Sequence, residues 1–174
     1  MLKDSRIKTM LVFALACSLF LVLSGMSSYV GVSAKNIEND IRVSQKINDD
    51  WVVEGSVGEN MAAYISYPEN RSTYTYSLYL NYPGFSFGYF FRSGGAIPLM
   101  DDSLALFEYD EYDEEAYISM NNQKVDRIEI GMGHDIQVID IDSDKPFAIV
   151  LKKNQGRVQF YDVNNQLVEY TQAN

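Results

Sequence analysis

A single cysteine, Cys17, and a single histidine, His134, are all that this chain of 174 residues offers to thiol and imidazole chemistry. Cys17 lies in an apolar run near the N-terminus, so residues 35–174 hold no thiol, which rules out a disulfide framework and a thiolate metal site there. A serine or cysteine nucleophile would have to use His134 as its base. A zinc hydrolase site draws on more than one imidazole. His134 sits in Gly131-Met132-Gly133-His134-Asp135, which reads as a turn feeding a strand. The chain has no internal repeat, low-complexity tract or second domain.

Positive charge is scarce as well. The chain carries 14 Lys and Arg against 24 Asp and Glu. Residues 1–34 hold three bases and one acid, so the remainder holds 11 bases and 23 acids, a net of −12. That surface repels phosphate backbones, which excludes nucleic acid as a partner, and it disfavours adsorption of the domain to anionic lipid. Acidic charge keeps an exported protein soluble; it also leaves room for a cation or a basic partner.

The three bases of the N-terminal segment are Lys3, Arg6 and Lys8, and residues 9–34 then carry no charge. Met10 to Leu23 is almost wholly apolar, and Val32-Ser33-Ala34 supplies small residues at alternate positions. A basic head, an apolar middle and a small-residue exit describe a secretory signal. An uncleaved anchor is the alternative, since 26 charge-free residues at about 1.5 Å each reach about 39 Å. The dense apolar block spans only 14 residues, however, and residues 24–33 are rich in Ser and Gly. Either way the basic end stays inside and the rest is exported, to a periplasmic, extracellular or cell-surface location. Leu15-Ala16-Cys17 has a faint likeness to a lipid-attachment site, but the apolar run continues for six residues past Cys17.

Residues 35–50 are polar and weakly patterned, and we expect a spacer or a short helix there. From Trp51 the pattern is β. Tyr74, Tyr76, Leu78, Leu80 and Tyr82 alternate with Thr73, Thr75, Ser77, Tyr79 and Asn81, putting a large apolar set on one face. Pro83-Gly84 has type II turn chemistry, and Phe85, Phe87, Tyr89 and Phe91 alternate beyond it, predicting an aromatic hairpin that ends at Ser93-Gly94-Gly95. Further strands are expected at 104–109, 116–120, 125–131, 135–141, 147–152, 157–163 and 166–171, joined by Asn- and Gly-rich turns. In 136–141 the apolar phase slips by one, as a bulge or a doubly covered strand requires. Phe147 to Leu151 is continuously apolar, as for a central strand. The expected fold is all-β: one antiparallel sandwich or barrel of about eight to ten short strands over 51–174.

Candidate chemistry is sparse. Asp110, Glu111, Asp113, Glu114 and Glu115, with Asp101 and Asp102 nearby, form an acidic cluster suited to a solvated loop or to a hard cation. Asp140, Asp142 and Asp144 alternate like the start of a calcium loop, the one cofactor the sequence suggests. Lys145 stands there in place of the required Gly, and Leu151 in place of the closing acid. Two carboxylates can hydrolyse a glycoside, but among 23 acids the sequence selects no pair.

Aromatic residues are plentiful. Tyr79 and Phe90 fall on the polar faces of the predicted hairpin, so core burial explains them least; with Trp51 they are the candidate ligand-binding residues. We therefore expect an exported non-catalytic binding module for an envelope or extracellular protein or a carbohydrate. A calcium-dependent structural envelope protein and a small two-carboxylate hydrolase are the alternatives.

Overall fold

The computed structural model describes residues 13, 15–19, 30–82, 87–96, 104–133 and 135–173. Most of the leader, the Pro83-Gly84 turn, Asp101, Asp102 and His134 lie outside the described residues. Phe13 and residues 15–19 are helical and exposed. Among the described residues no helix is long and apolar enough to cross a membrane.

The polar segment after the leader opens with a 3-10 turn, Ala34–Asn36, and continues as helix α1, Ile37–Ser44. Ile37 and Ile41, one helical turn apart, share a face and are fully buried, so this segment is packed against the strands. Among the described residues twelve strands follow: β1 (Val52–Val57), β2 (Met61–Tyr67), β3 (Thr75–Leu80), β4 (Phe90–Ala96), β5 (Leu104–Glu108), β6 (Glu114–Ser119), β7 (Val125–Met132), β8 (Asp135–Asp140), β9 (Phe147–Lys152), β10 (Arg157–Asp162), β11 (Leu167–Val168) and β12 (Tyr170–Gln172). The molecule is all-β, with antiparallel pairing throughout the described strands except where β12 runs parallel to β5.

The strands form three sheets, ordered β1-β2-β3-β4 (sheet I), β12-β5-β6-β9 (sheet II) and β11-β10-β7-β8 (sheet III). Sheet II has both faces covered. Leu78, Leu80, Met61 and Ile65 of sheet I meet Phe107, Ala116, Ile118 and Ala148 of sheet II in one core. On the other face of sheet II, Leu104, Leu106, Tyr117 and Leu151 meet Ile128, Ile130 and Phe160 of sheet III in a second. Helix α1 closes the outer face of sheet I, where Ile37 and Ile41 pack on Ala62, Tyr79 and Tyr89. The antiparallel sheets pack face to face as in a sandwich, but in three layers, so that two cores share the middle sheet.

Several local expectations change accordingly. The apolar face of β3 is the predicted one, but α1 covers the opposite face, so Tyr79 is fully buried instead of presented to solvent. Leu80 pairs with Phe90, and residues 81–89 form the connection. Gly94 and Gly95 do not release the chain but belong to β4. A Cβ on Gly94 would stand 2.6 Å from the Tyr76 carbonyl oxygen and 2.8 Å from Gln45 Nε2, so the side-chain-free position lets Gln45 reach over and donate to Tyr76 O and Ser77 Oγ.

Strand β9 is an edge strand by hydrogen bonding among the described residues, yet it is apolar from Phe147 to Leu151 because its sheet is the middle layer. Its Val150 N–H donates to Ser56 Oγ from sheet I. β8 is an uncovered edge whose register with β7 runs without a bulge, so neither explanation of its phase slip holds. Ile136 and Val138 instead lie on the outer face, opposite Gly131 and Glu129, and are about half exposed. The predicted strand 166–171 is split between sheets III and II as β11 and β12. Asn121, Asn154 and Asn165 take left-handed backbone in the turns where asparagine was expected to do so.

Candidate functional site

The sequence-derived candidates do not converge. Trp51 precedes β1, whose Val52 pairs with Tyr67; its backbone carbonyl accepts from Arg42 of α1. Phe90 starts β4 at the other end of the sheet, opposite Leu80, and packs on the Tyr82 ring at 5.3 Å. β1 and β4 are three strand spacings apart, about 14 Å. Trp51 and Phe90 therefore occupy opposite corners of sheet I. Tyr79 lies beneath α1, its hydroxyl donating to Asp40 Oδ2 at 2.6 Å. Burial raises its pKa, and the bond to Asp40 adds to the shift.

The acidic segments are dispersed too. Asp142 Oδ1 accepts from the Asp144 backbone N–H, and Asp142 pairs with Lys145 at 3.1 Å. Asp144 pairs with Lys124 at 2.9 Å, while Asp140 faces Arg127 across β7–β8. Among the described residues no three acidic, cysteine or histidine side chains are gathered to hold a metal.

In the 110–115 cluster, Glu114 is 2% exposed. Its carboxylate accepts three backbone N–H groups of the β1–β2 turn, from Glu59, Asn60 and Met61, at 2.7, 2.8 and 2.8 Å. This carboxylate fastens sheet II to the turn of sheet I. Glu115 faces Glu108 across β5–β6. Burial raises the Glu115 pKa against the opposing effect of the Tyr117 hydroxyl it accepts from, but Lys153 neutralises Glu108 at 3.1 Å.

What does converge lies at the β4 edge of sheet I. Leu78 pairs with Ser93 and Tyr79 with Phe91, leaving Arg92 as the extra residue of a bulge. Bulges re-aim side chains. Here the Arg92 guanidinium lies 5.6 Å from the centre of the Tyr109 ring, in the β5–β6 connection of sheet II. Arg92, Tyr109, Tyr82, Tyr112, Asp110 and Glu111 line an open cleft of about 370 Å³. A second hollow of about 400 Å³ adjoins it through the same Arg92 and Tyr109, with Tyr76 and Phe107 stacked at 5.0 Å on its wall.

Tyr112 is 7% exposed, and its ring sits edge-on to Tyr109 at 6.4 Å. Its hydroxyl has no hydrogen-bond partner among the described residues. Ser66 Oγ, Thr75 Oγ1 and Asp126 Oδ1 share that condition, but none of these residues lines either of the two hollows at Arg92 and Tyr109. Desolvation raises the Tyr112 pKa, with Tyr82 and Glu111 adding to the shift and Arg92 opposing it. Tyr112 is thus a neutral hydroxyl, held by burial beside a cation and stacking faces.

Of the cleft residues, spacing singled out Tyr82, and composition Asp110 and Glu111, but nothing joined them to Arg92, Tyr109 or Tyr112. Tyr109 and Tyr112 lay inside the acidic run, and the bulge at Arg92 has no signature in an alternating pattern. The tyrosines interleaved among Glu108, Asp110 and Glu111 were the available signal. Scans with protein-family models, curated proteins and solved structures each find no match to this chain.

Proposed function

We propose that this protein is an exported, non-catalytic binding module whose ligand is a short saccharide taken into the Tyr82–Arg92–Tyr109–Tyr112 cleft. The observation that carries this is the buried, unpartnered Tyr112 hydroxyl beside the Arg92–Tyr109 pair. Binding clefts combine apolar or aromatic walls with a few placed polar groups. Tyrosine faces stack on the C–H faces of sugar rings. A sugar hydroxyl offers both a donor and an acceptor, so it can bridge Arg92 and Glu111, and it satisfies Tyr112 Oη once the Tyr112 ring turns toward the cleft, because that oxygen is otherwise fully buried. The charge-free leader behind Lys3, Arg6 and Lys8 supports delivery across a membrane.

A panel of neutral and N-acetylated hexose oligomers, titrated into the purified full chain, tests this. At least one should raise the melting temperature, because a ligand bound only by the native state adds to its stability. Tyr109→Ala should weaken that binding about tenfold or more, the equivalent of about 1.4 kcal/mol. No stabilising saccharide, or an unchanged affinity in Tyr109→Ala, sinks the proposal.

A protein partner is the second reading, and β8 favours it. This edge strand leaves its outer hydrogen-bonding row unpaired among the described residues and presents Ile136 and Val138 on an open face. Such edges accept an added strand. A pull-down lost on Val138→Lys, with saccharide binding intact, would favour it.

A further inference from the structure

The residues just before the expected processing site are part of the fold. Gly31 N–H donates to Phe87 O at 2.6 Å, Val32 N–H to Tyr89 O at 2.8 Å, and Tyr89 N–H returns to Val32 O at 2.8 Å. Gly31 fits because it lacks a side chain: a Cβ there would stand 2.6 Å from the Tyr89 carbonyl oxygen. Val32 packs against the Ile37, Ile41, Tyr79 and Tyr89 cluster. Val30 bridges directly to Phe87, and the two side chains are 52% and 70% exposed, an apolar pair turned to the outside.

We propose that this pair is a lipid-contacting tip, with Phe87 and Val30 seated at the headgroup level of the membrane that the retained leader enters. The apolar block of the leader ends at Leu23, seven residues before Val30. Even fully extended, that stretch spans no more than about 25 Å, so the tip is tethered next to the bilayer. Exposed Phe and aliphatic side chains bury themselves about 5–10 Å into the boundary of headgroups and acyl chains. The contact is apolar: the net charge of −12 carried by residues 35–174 (11 bases against 23 acids) gives no attraction to anionic lipid, so uncharged lipid suffices.

The single tryptophan makes the test clean. Trp51 lies at the far corner of sheet I and serves as the internal control. The full chain is reconstituted in vesicles of phosphatidylcholine brominated on its acyl chains, and tryptophan emission is read. Phe87→Trp in a Trp51→Phe background should be quenched at least about twofold relative to unbrominated vesicles, and wild-type Trp51 hardly at all. Val30→Trp in the same background should match Trp at position 87. Equal emission in both lipids at positions 87 and 30 overturns the proposal. So does an intact mass from the native host showing the chain to begin after Ala34. Saccharide binding is untouched by either result.

Discussion

Replacing Tyr112 by Phe should make this protein more stable. The ring of Tyr112 belongs to the core between sheets I and II and stays in place in the variant, while the hydroxyl it loses is buried and unpaired among the described residues. Burying a hydroxyl without a compensating hydrogen bond costs about 1–3 kcal/mol on protein mutational scales. Removing it recovers most of that, less the small void left by one oxygen, for a net gain of about 1–2 kcal/mol. At a chain length near 174 residues that corresponds to a rise of about 2–8 °C in melting temperature. Urea denaturation followed by far-UV circular dichroism gives the free energy directly. The slope against urea should not change, because the same surface is exposed on unfolding. A loss of stability in Tyr112→Phe would refute the reasoning, because the hydroxyl would then have a partner already. Tyr79→Phe is the matched control. It removes a hydroxyl that donates to Asp40 at 2.6 Å, so it should destabilise by about 1.5–3 kcal/mol, the range for bonds to charged groups.

Other outcomes follow from the same bonds. Glu114→Ala should cost at least about 3 kcal/mol, since three backbone donors of the β1–β2 turn lose their acceptor at about 1–3 kcal/mol each. Glu114→Gln, which keeps one acceptor oxygen, should cost about half as much by urea titration. Alkali should unfold the protein steeply. Burial raises the pKa of Tyr67 to about 12 and shifts Tyr64, Tyr79, Tyr89, Tyr112 and Tyr117 upward as well. Unfolded tyrosine titrates near 10, so above about pH 10 the unfolded chain holds fewer protons than the folded one. Stability is then full below about pH 10 and falls by up to about 1.4 kcal/mol per pH unit per tyrosine, until each folded value is passed. A melting temperature flat between pH 9 and about 11.5 would contradict this.

The fold was legible where local pattern and global packing agreed. The turn asparagines, the strand at Phe147–Lys152 and the apolar face of β3 all follow from residue chemistry that the layers respect. It was illegible where a distant element decided. Nothing in Tyr79 announces that Ile37 and Ile41 will cover it, so a two-faced buried strand looked like a one-faced one. Glu114 looked like one acid of a solvated run because its partners, the N–H groups of residues 59–61, lie more than fifty positions away. The candidate cleft was hidden for the same reason: Arg92 meets Tyr109 through a bulge and an intersheet contact.

Affinity, measured by calorimetric titration of the hexose oligomers into wild type and Tyr112→Phe side by side, tests the central claim most directly. The account predicts that the variant binds about tenfold or more weakly although it is the more stable protein, since the group removed is the one a ligand hydroxyl satisfies. Equal affinity in the two proteins would contradict it.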